Sequence, residues 1–186
     1  MAEAGAEQQL KALANLLLLQ QRLREAQNAS ELGFILVNDT HTMVPYRSAA
    51  LWTATPGETT KGSVTSVAGT IEHDEHSPYM NWLRALARHL AGEQRIQDIG
   101  PGQVELIRKP DVAPELAEQW DAHGSEYLVW CPLRSGAGVL LGALILWRDV
   151  PLAEAEQRIL ANWLSAASYS LAALRGKPFS KTTFQW

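Results

Sequence analysis

The chain has 186 residues, a formal net charge of −4 from 16 Lys and Arg against 20 Asp and Glu, 46% hydrophobic residues and 19% charged ones. That length holds one domain with appendages and a substantial core, and an acidic balance without any basic run argues against a non-specific nucleic-acid binder. One cysteine, Cys131, excludes an internal disulfide framework and a multi-cysteine zinc site. The N-terminal stretch lacks the basic n-region of a signal peptide, and no apolar run approaches the ~20 residues of a membrane span, so a soluble chain is expected.

Residues 8–27 are predicted to form a first helix, with Leu10, Leu13, Leu16, Leu17, Leu19 and Leu23 as its apolar positions. Leu16 to Leu19 is an unbroken leucine run that surrounds a whole turn, whereas a helix docked on one partner needs one stripe. Two contact faces are expected. The three-four spacing of Leu16, Leu19, Leu23 and Ala26 is too brief to declare a coiled coil. Asn28 or Ser30 can cap a second helix with Glu31 in its first turn. Leu32, Ile35, Leu36 and Asp39 share one side of it, and it ends near Thr42, ahead of Pro45.

Residues 48–55 read as a strand, Pro56-Gly57-Glu58 as a turn, and residues 63–70, with Val64 and Val67, as a second strand of an edge hairpin. The charged loop Glu72-His73-Asp74-Glu75-His76 leads to Ser77-Pro78, cap and first position of a helix over residues 78–90. Its apolar face is Trp82, Leu83, Leu86 and Leu90, and Ala91-Gly92 stops it. Residues 93–111 hold a weak strand at 104–107 among Gly100, Pro101, Gly102 and Pro110. A short helix spans 114–122 and ends at Gly124.

Residues 127–133 and 139–147 are nearly continuous apolar runs around the polar, glycine-rich turn Arg134-Ser135-Gly136-Ala137-Gly138. A strand with one wet face alternates, so a continuous run implies cover on both faces, and this hairpin is expected at the centre of a sheet. Leu144 and Leu146 should be almost fully buried, with at least one of Leu141 and Ile145. Pro132 cannot donate to a ladder and belongs at a strand end or a bulge. Residues 152–174 form a final helix, with Glu154 and Glu156 near its positive end and Arg175-Gly176 and Pro178 as its stop. Its apolar set, Leu160, Trp163, Leu164, Leu171 and Leu174, is again wide for one stripe. Hairpin-linked strands with helices before and after them indicate an α+β domain around an antiparallel sheet.

The pattern Val129-Trp130-Cys131-Pro132-Leu133, a glycine turn, then Val139-Leu140-Leu141-Gly142-Ala143-Leu144-Ile145-Leu146 and a closing amphipathic helix resembles the C-terminal half of GAF domains. The resemblance covers roughly residues 28–175. It implies a GAF-like, profilin-like sheet of five or six antiparallel strands, with the N- and C-terminal helices on one face and covering helices and loops on the other. The expected organisation is an N-terminal helix over 1–27, the domain over 28–175 and a tail over 176–186. A narrower segment, Leu36-Val37-Asn38-Asp39-Thr40-His41 followed by Val44-Pro45-Tyr46-Arg47-Ser48-Ala49-Ala50-Leu51-Trp52, is similar to the N-terminal cytoplasmic region of some bacterial HlyD-type membrane fusion proteins. The final residues, Lys177 to Trp186, interleave basic and aromatic side chains like a membrane-interface flank. The likeness therefore implies a membrane helix beyond Trp186 and a cytoplasmic domain at the inner membrane, in a secretion or efflux adaptor.

Candidate chemistry is sparse. His73, Asp74, Glu75 and His76 offer four potential metal ligands, but adjacent loop residues seldom converge at ~2 Å, and a solvated loop explains them more simply. Cys131 needs a cation, histidine or helix N-terminus to become a nucleophile; at the end of a buried strand it reads as inert packing. Ser135-Gly136-Ala137-Gly138 has no following Lys-Ser/Thr to make a phosphate loop, and neither a nucleophile elbow nor a triad order is present. The Asn-Lys-Phe-Asp-Glu set of cyclic-nucleotide-binding GAF domains is absent. No catalytic residue, metal or cofactor is expected.

The aromatic set Trp52, Tyr79, Trp82, Trp120 and Trp130 is more suggestive. The resemblance places Trp52 on a strand and Tyr79, Trp82 and Trp120 on the elements covering one face, where family members hold small ligands between apolar walls. Core packing is the simpler explanation for any one of these tryptophans. The expected function is a non-enzymatic sensory or regulatory domain that binds a small molecule and signals through its terminal helices. The alternative is a structural dimerisation module; an enzyme using Cys131 or the His73–His76 loop carries least weight. In either of the first two readings a homodimer through the first and last helices is expected.

Overall fold

The computed structural model describes residues 2–69 and 74–175. Five strands make one antiparallel sheet: β1 (Ser48–Thr55), β2 (Glu58–Val67), β3 (Glu105–Ile107), β4 (Tyr127–Arg134) and β5 (Leu140–Arg148), in the spatial order β2-β1-β5-β4-β3. The β4–β5 hairpin is closed as its glycines suggest. Ser135 N–H donates to Val139 O, Gly138 N–H to Ser135 O, and Gly138 takes a φ of 84° that an L side chain rarely adopts.

β5 is the central strand and is buried from end to end. Leu144, Leu146 and Ile145 are fully buried and Leu141 nearly so. Period-two alternation splits this apolar run between two cores. Leu144 and Leu146 join Val129, Cys131, Leu133, Ala49 and Leu51 on one face; Ala143, Ile145 and Trp147 join Leu128, Trp130, Ala50 and Trp52 on the other. The fold is α+β, and the sheet is covered on both sides.

The first face lies under α1 (Ala2–Glu25), α2 (Ala29–Asp39) and α7 (Glu154–Arg175). Asn28 caps α2 through its side chain, which accepts from Glu31 N–H. Trp163 of α7 reaches across to donate its indole N–H to Thr40 Oγ1 at 2.7 Å, and Thr40 donates onward to Leu36 O. At the junction of sheet and last helix, the buried guanidinium of Arg148 donates to the carbonyls of Pro45, Val150 and Pro151 and to both carboxylate oxygens of Glu156. The opposite face lies under α3 (Pro78–Gly92), α4 (Gln94–Gln97), α5 (Pro114–Ala117) and α6 (Trp120–His123).

Several boundaries differ from expectation. α1 starts at Ala2 rather than at Gln8; its first residues are good helix formers, and Glu3 lies at the positive end of the dipole. β2 begins at Glu58, not Ser63, because Pro56-Gly57 alone turns the chain with Gly57 at φ 83°, and β2 ends at Val67. The helix expected over 114–122 is two separate turns. Gln119 leaves helical geometry with φ −97° and ψ 0°, and Gly124 N–H closes the second turn on Trp120 O. The wide apolar set of the last helix needs no outside partner: Leu160, Trp163, Leu164 and Leu171 are buried in the domain's own core and Leu174 packs against it. The tail over 176–186 lies outside the described residues.

Pro132 sits inside β4 rather than at its end, next to a register shift at Leu133/Arg134. β3 is short and pairs only with Leu128, Val129 and Trp130, so β4 has an open edge beyond them. Arg134 N–H, which faces that edge, donates to Ser168 Oγ of α7.

Candidate functional site

The face of the sheet under α3 is walled by tryptophan. Three strands bring their alternate residues to it: Trp52 on β1 stands opposite Ala143, Trp130 on β4 opposite Ile145, and Trp147 on β5 opposite Leu128. Gly62 on β2 lets the Trp52 ring lie close. A Cβ there would come within 2.7 Å of the indole and 2.2 Å of Thr53 O. The Trp52 and Trp130 ring centroids are 5.9 Å apart at 42°.

α3 delivers the covering aromatics. Ser77 caps it by accepting from Met80 N–H, and Pro78 fixes its first turn, which sets the direction of Tyr79 and Trp82. Trp82 stacks on Trp147 at 5.7 Å and 18°, and Trp120 meets both edge-on at 5.9 and 5.3 Å. Such offset and edge-to-face pairs add roughly 0.5–1.5 kcal/mol each beyond their burial. Trp82 Nε1 donates to Leu116 O, Trp120 Nε1 to Ser125 O, and Trp147 Nε1 to the Tyr79 hydroxyl at 3.0 Å. Burial pushes the Tyr79 phenol above its ordinary range, and the bond from Trp147 partly opposes that shift. His123 closes the cage, 5.4 Å from Trp82 and 5.8 Å from Tyr79.

All five residues expected to line a pocket therefore share one core, in two groups. Tyr79, Trp82 and Trp120 surround Trp147, while Trp52 and Trp130 form a second pair. Trp147 and His123 were missed from sequence. The signal for Trp147 was available: once the hairpin turn is fixed, the residue opposite Leu128 falls on the Trp130 face. His123 carries no such signal, because it depends on how the irregular segment between β3 and β4 folds back.

The two groups differ in one respect. The indole N–H groups of Trp82, Trp120 and Trp147 are satisfied, whereas Nε1 of Trp52 and Nε1 of Trp130 are buried without an acceptor among the described residues. A buried donor left unpaired costs about 1–3 kcal/mol. Around the molecule lie clefts of about 410, 320, 580 and 240 Å³, and of the five residues Trp120 alone lines any of these. The 410 Å³ cleft that Trp120 borders is rimmed by exposed ion pairs, Arg47–Asp149, Arg108–Glu126 and Lys109–Asp121 at 3.5, 3.9 and 3.0 Å, each of which contributes little in open solvent.

Asp74, Glu75 and His76 are exposed; Asp74 Oδ1 accepts from His76 N–H within the turn, and Glu75 O accepts from Arg84. His73 lies outside the described residues, and among those described no group of three potential ligands converges. Cys131 is completely buried, and burial pushes its thiol well above the ordinary range, so it stays protonated at neutral pH. A thiol reagent at neutral pH is accordingly expected to leave Cys131 untouched in the native protein and to label it fully in denaturant. Rapid labelling of native protein would show that the β4 face opens.

No family model matches the chain, and no curated protein matches it. Solved structures do. The GAF domain assigned to a sensor histidine kinase from Pseudomonas syringae pv. tomato superposes with a TM-score of 0.58 at 13% identity, covering 94% of each chain. The phytochrome photosensory core module of Stigmatella aurantiaca gives 0.63 at 17% identity over 92% of this chain and 38% of that one. A GAF domain/HD domain protein from Geobacter sulfurreducens gives 0.53 at 13% identity over 86% and 98%. The fold is that of GAF domains, as the residues of the β4–β5 hairpin suggest. These neighbours lend no support to the narrower HlyD likeness.

Proposed function

We propose that the chain is a non-enzymatic sensory or regulatory domain, which receives a small molecule at the tryptophan face and passes the change through the sheet to α1 and α7. One observation carries this reading. Trp52 and Trp130 present two neighbouring, fully buried indole donors with no acceptor among the described residues, and a ligand oxygen or nitrogen between them would relieve both. The structural neighbours include a sensor kinase domain and a photosensory module, in keeping with a sensory role. The competing reading is a structural dimerisation module whose would-be pocket is filled by its own side chains, and the mutual packing of Trp82, Trp120 and Trp147 favours it.

A thermal-shift screen of small metabolites separates the two, because a ligand at a hundredfold excess over its Kd adds ≈ 2.7 kcal/mol to native stability. The ligand reading expects a stabilising compound whose effect is lost in Trp52→Phe and Trp130→Phe, which keep an aromatic ring but remove the donor. No stabilising compound, or stabilisation unchanged in both variants, sinks it.

The finer assignment, to a cytoplasmic domain of a membrane transport adaptor, rests on the segment from Leu36 to Trp52, which spans the end of α2, the connecting turn and the start of β1. Fractionation of the protein expressed from its native gene tests it: recovery with the inner membrane supports the adaptor, and recovery wholly in the soluble fraction removes it.

A further inference from the structure

α1 has two apolar faces, and the domain uses one. Leu16, Leu19 and Leu23 are 6%, 5% and 1% exposed against α2 and α7, whereas Leu10, Leu13 and Leu17 are 66%, 53% and 58% exposed. At about 100° per residue, these three lie within one arc of about 60°, centred about 120° round the helix from the buried leucines. Their spacing of three and four residues is that of a coiled-coil seam. Steps of seven extend the same stripe to Glu3 at one end and Arg24 at the other. The first half of the helix stands clear of the domain, with every residue from Glu3 to Lys11 exposed. A helical stretch of fewer than about 12 residues is marginal in water without a packing partner, and scattered single leucines, not a continuous row, are what a monomer ordinarily exposes.

We propose that α1 pairs antiparallel with α1 of a second copy of this chain across a two-fold axis, burying Leu10, Leu13 and Leu17. The charges at the stripe ends choose both partner and direction. A parallel, in-register pair sets Glu3 against Glu3 and Arg24 against Arg24, whereas an antiparallel pair sets the acidic end of each helix against the basic end of the other. A membrane surface is a poorer occupant. An interfacial helix carries an excess of Lys and Arg along its polar face, whereas α1 balances Lys11, Arg22 and Arg24 with Glu3, Glu7 and Glu25. On α7 the wide set of Leu160, Trp163, Leu164 and Leu171 is consumed by the core and Tyr169 alone is left as an exposed large apolar side chain among the described residues, so the pairing surface is placed on the leucine row of α1.

Sedimentation equilibrium across micromolar concentrations tests the proposal on the whole chain. The parent is expected to be a dimer, and Leu13→Glu and Leu17→Glu to raise its dissociation constant at least about a hundredfold, because each removes two leucines per dimer from the interface. Both positions are exposed in the single copy, so an unchanged circular dichroism spectrum and melting profile at monomeric concentrations checks that the fold is intact. Direction is read from charge reversal: Glu3→Arg and Arg24→Glu should each weaken the antiparallel dimer and the double variant restore it. A parent that stays monomeric, a dimer indifferent to Leu13→Glu and Leu17→Glu, or single reversals without effect on the dimer would overturn the proposal. So would a monomer that binds phosphatidylserine vesicles through the same leucines.

Discussion

Leu144→Ala is expected to lower the free energy of unfolding by about 2–5 kcal/mol, the range for deleting a buried leucine side chain from a core that cannot fully collapse. Leu144 is fully buried at the middle of the central strand, where it stands opposite Leu51 of β1 on one side and Cys131 of β4 on the other. Its side chain belongs to the core shared with α1, α2 and α7, so the vacated volume is bordered by the sheet and packed helices. The denaturant midpoint should fall with little change in slope. A variant that unfolds at the parent's midpoint would mean that this face of the sheet is not the main core.

Glu156→Ala should be of comparable size, for a different reason. Arg148 is 5% exposed, and Glu156, with 23% of its side chain exposed, accepts from the guanidinium at 3.0 and 3.3 Å. Truncating Glu156 leaves a buried cation with main-chain carbonyls and no counter-charge, a loss of about 3–5 kcal/mol for fully buried pairs and toward the lower end here, where water reaches the carboxylate. It also removes the acceptor for Ala153 N–H at the start of α7. Arg148→Met, which takes the charge away altogether, should cost less than Glu156→Ala, because it leaves no unpaired ion behind. Urea unfolding of the two variants decides the matter: equal losses, or a larger loss for Arg148→Met, would show that the carbonyl contacts of Arg148 outweigh its ion pair.

The parts of this architecture legible from sequence are those written in local patterns. Continuous apolar runs on either side of a glycine turn located the central hairpin, Ser77-Pro78 located the start of α3, and the choice of Asn28 or Ser30 bracketed that of α2, which Asn28 caps. What failed was of two kinds. The polar start of β2, with Lys61 and Gly62, shows no apolar alternation because an edge strand there meets solvent and the flat face of Trp52. The surplus attributed to the last helix was an error of tertiary context: Trp163 reaches Thr40, more than a hundred residues away in sequence, and no periodicity within the helix reveals such a contact. The five aromatic residues that the family resemblance grouped do share one core. That Trp82 and Trp120 would find acceptors while Trp52 and Trp130 would not depends on the carbonyls of Leu116 and Ser125, in segments whose path was illegible.

The open edge of β4 also bears on how copies of this protein can meet. Residues two apart on a strand send their N–H groups to the same side, so Pro132 and Arg134 share the edge that β3 leaves uncovered. The first has no N–H, and the second has already given its own to Ser168. An incoming strand would find no donor at either position, so this stretch of β4 is guarded against pairing with a strand of another molecule, the hazard that unprotected edges carry toward fibrils.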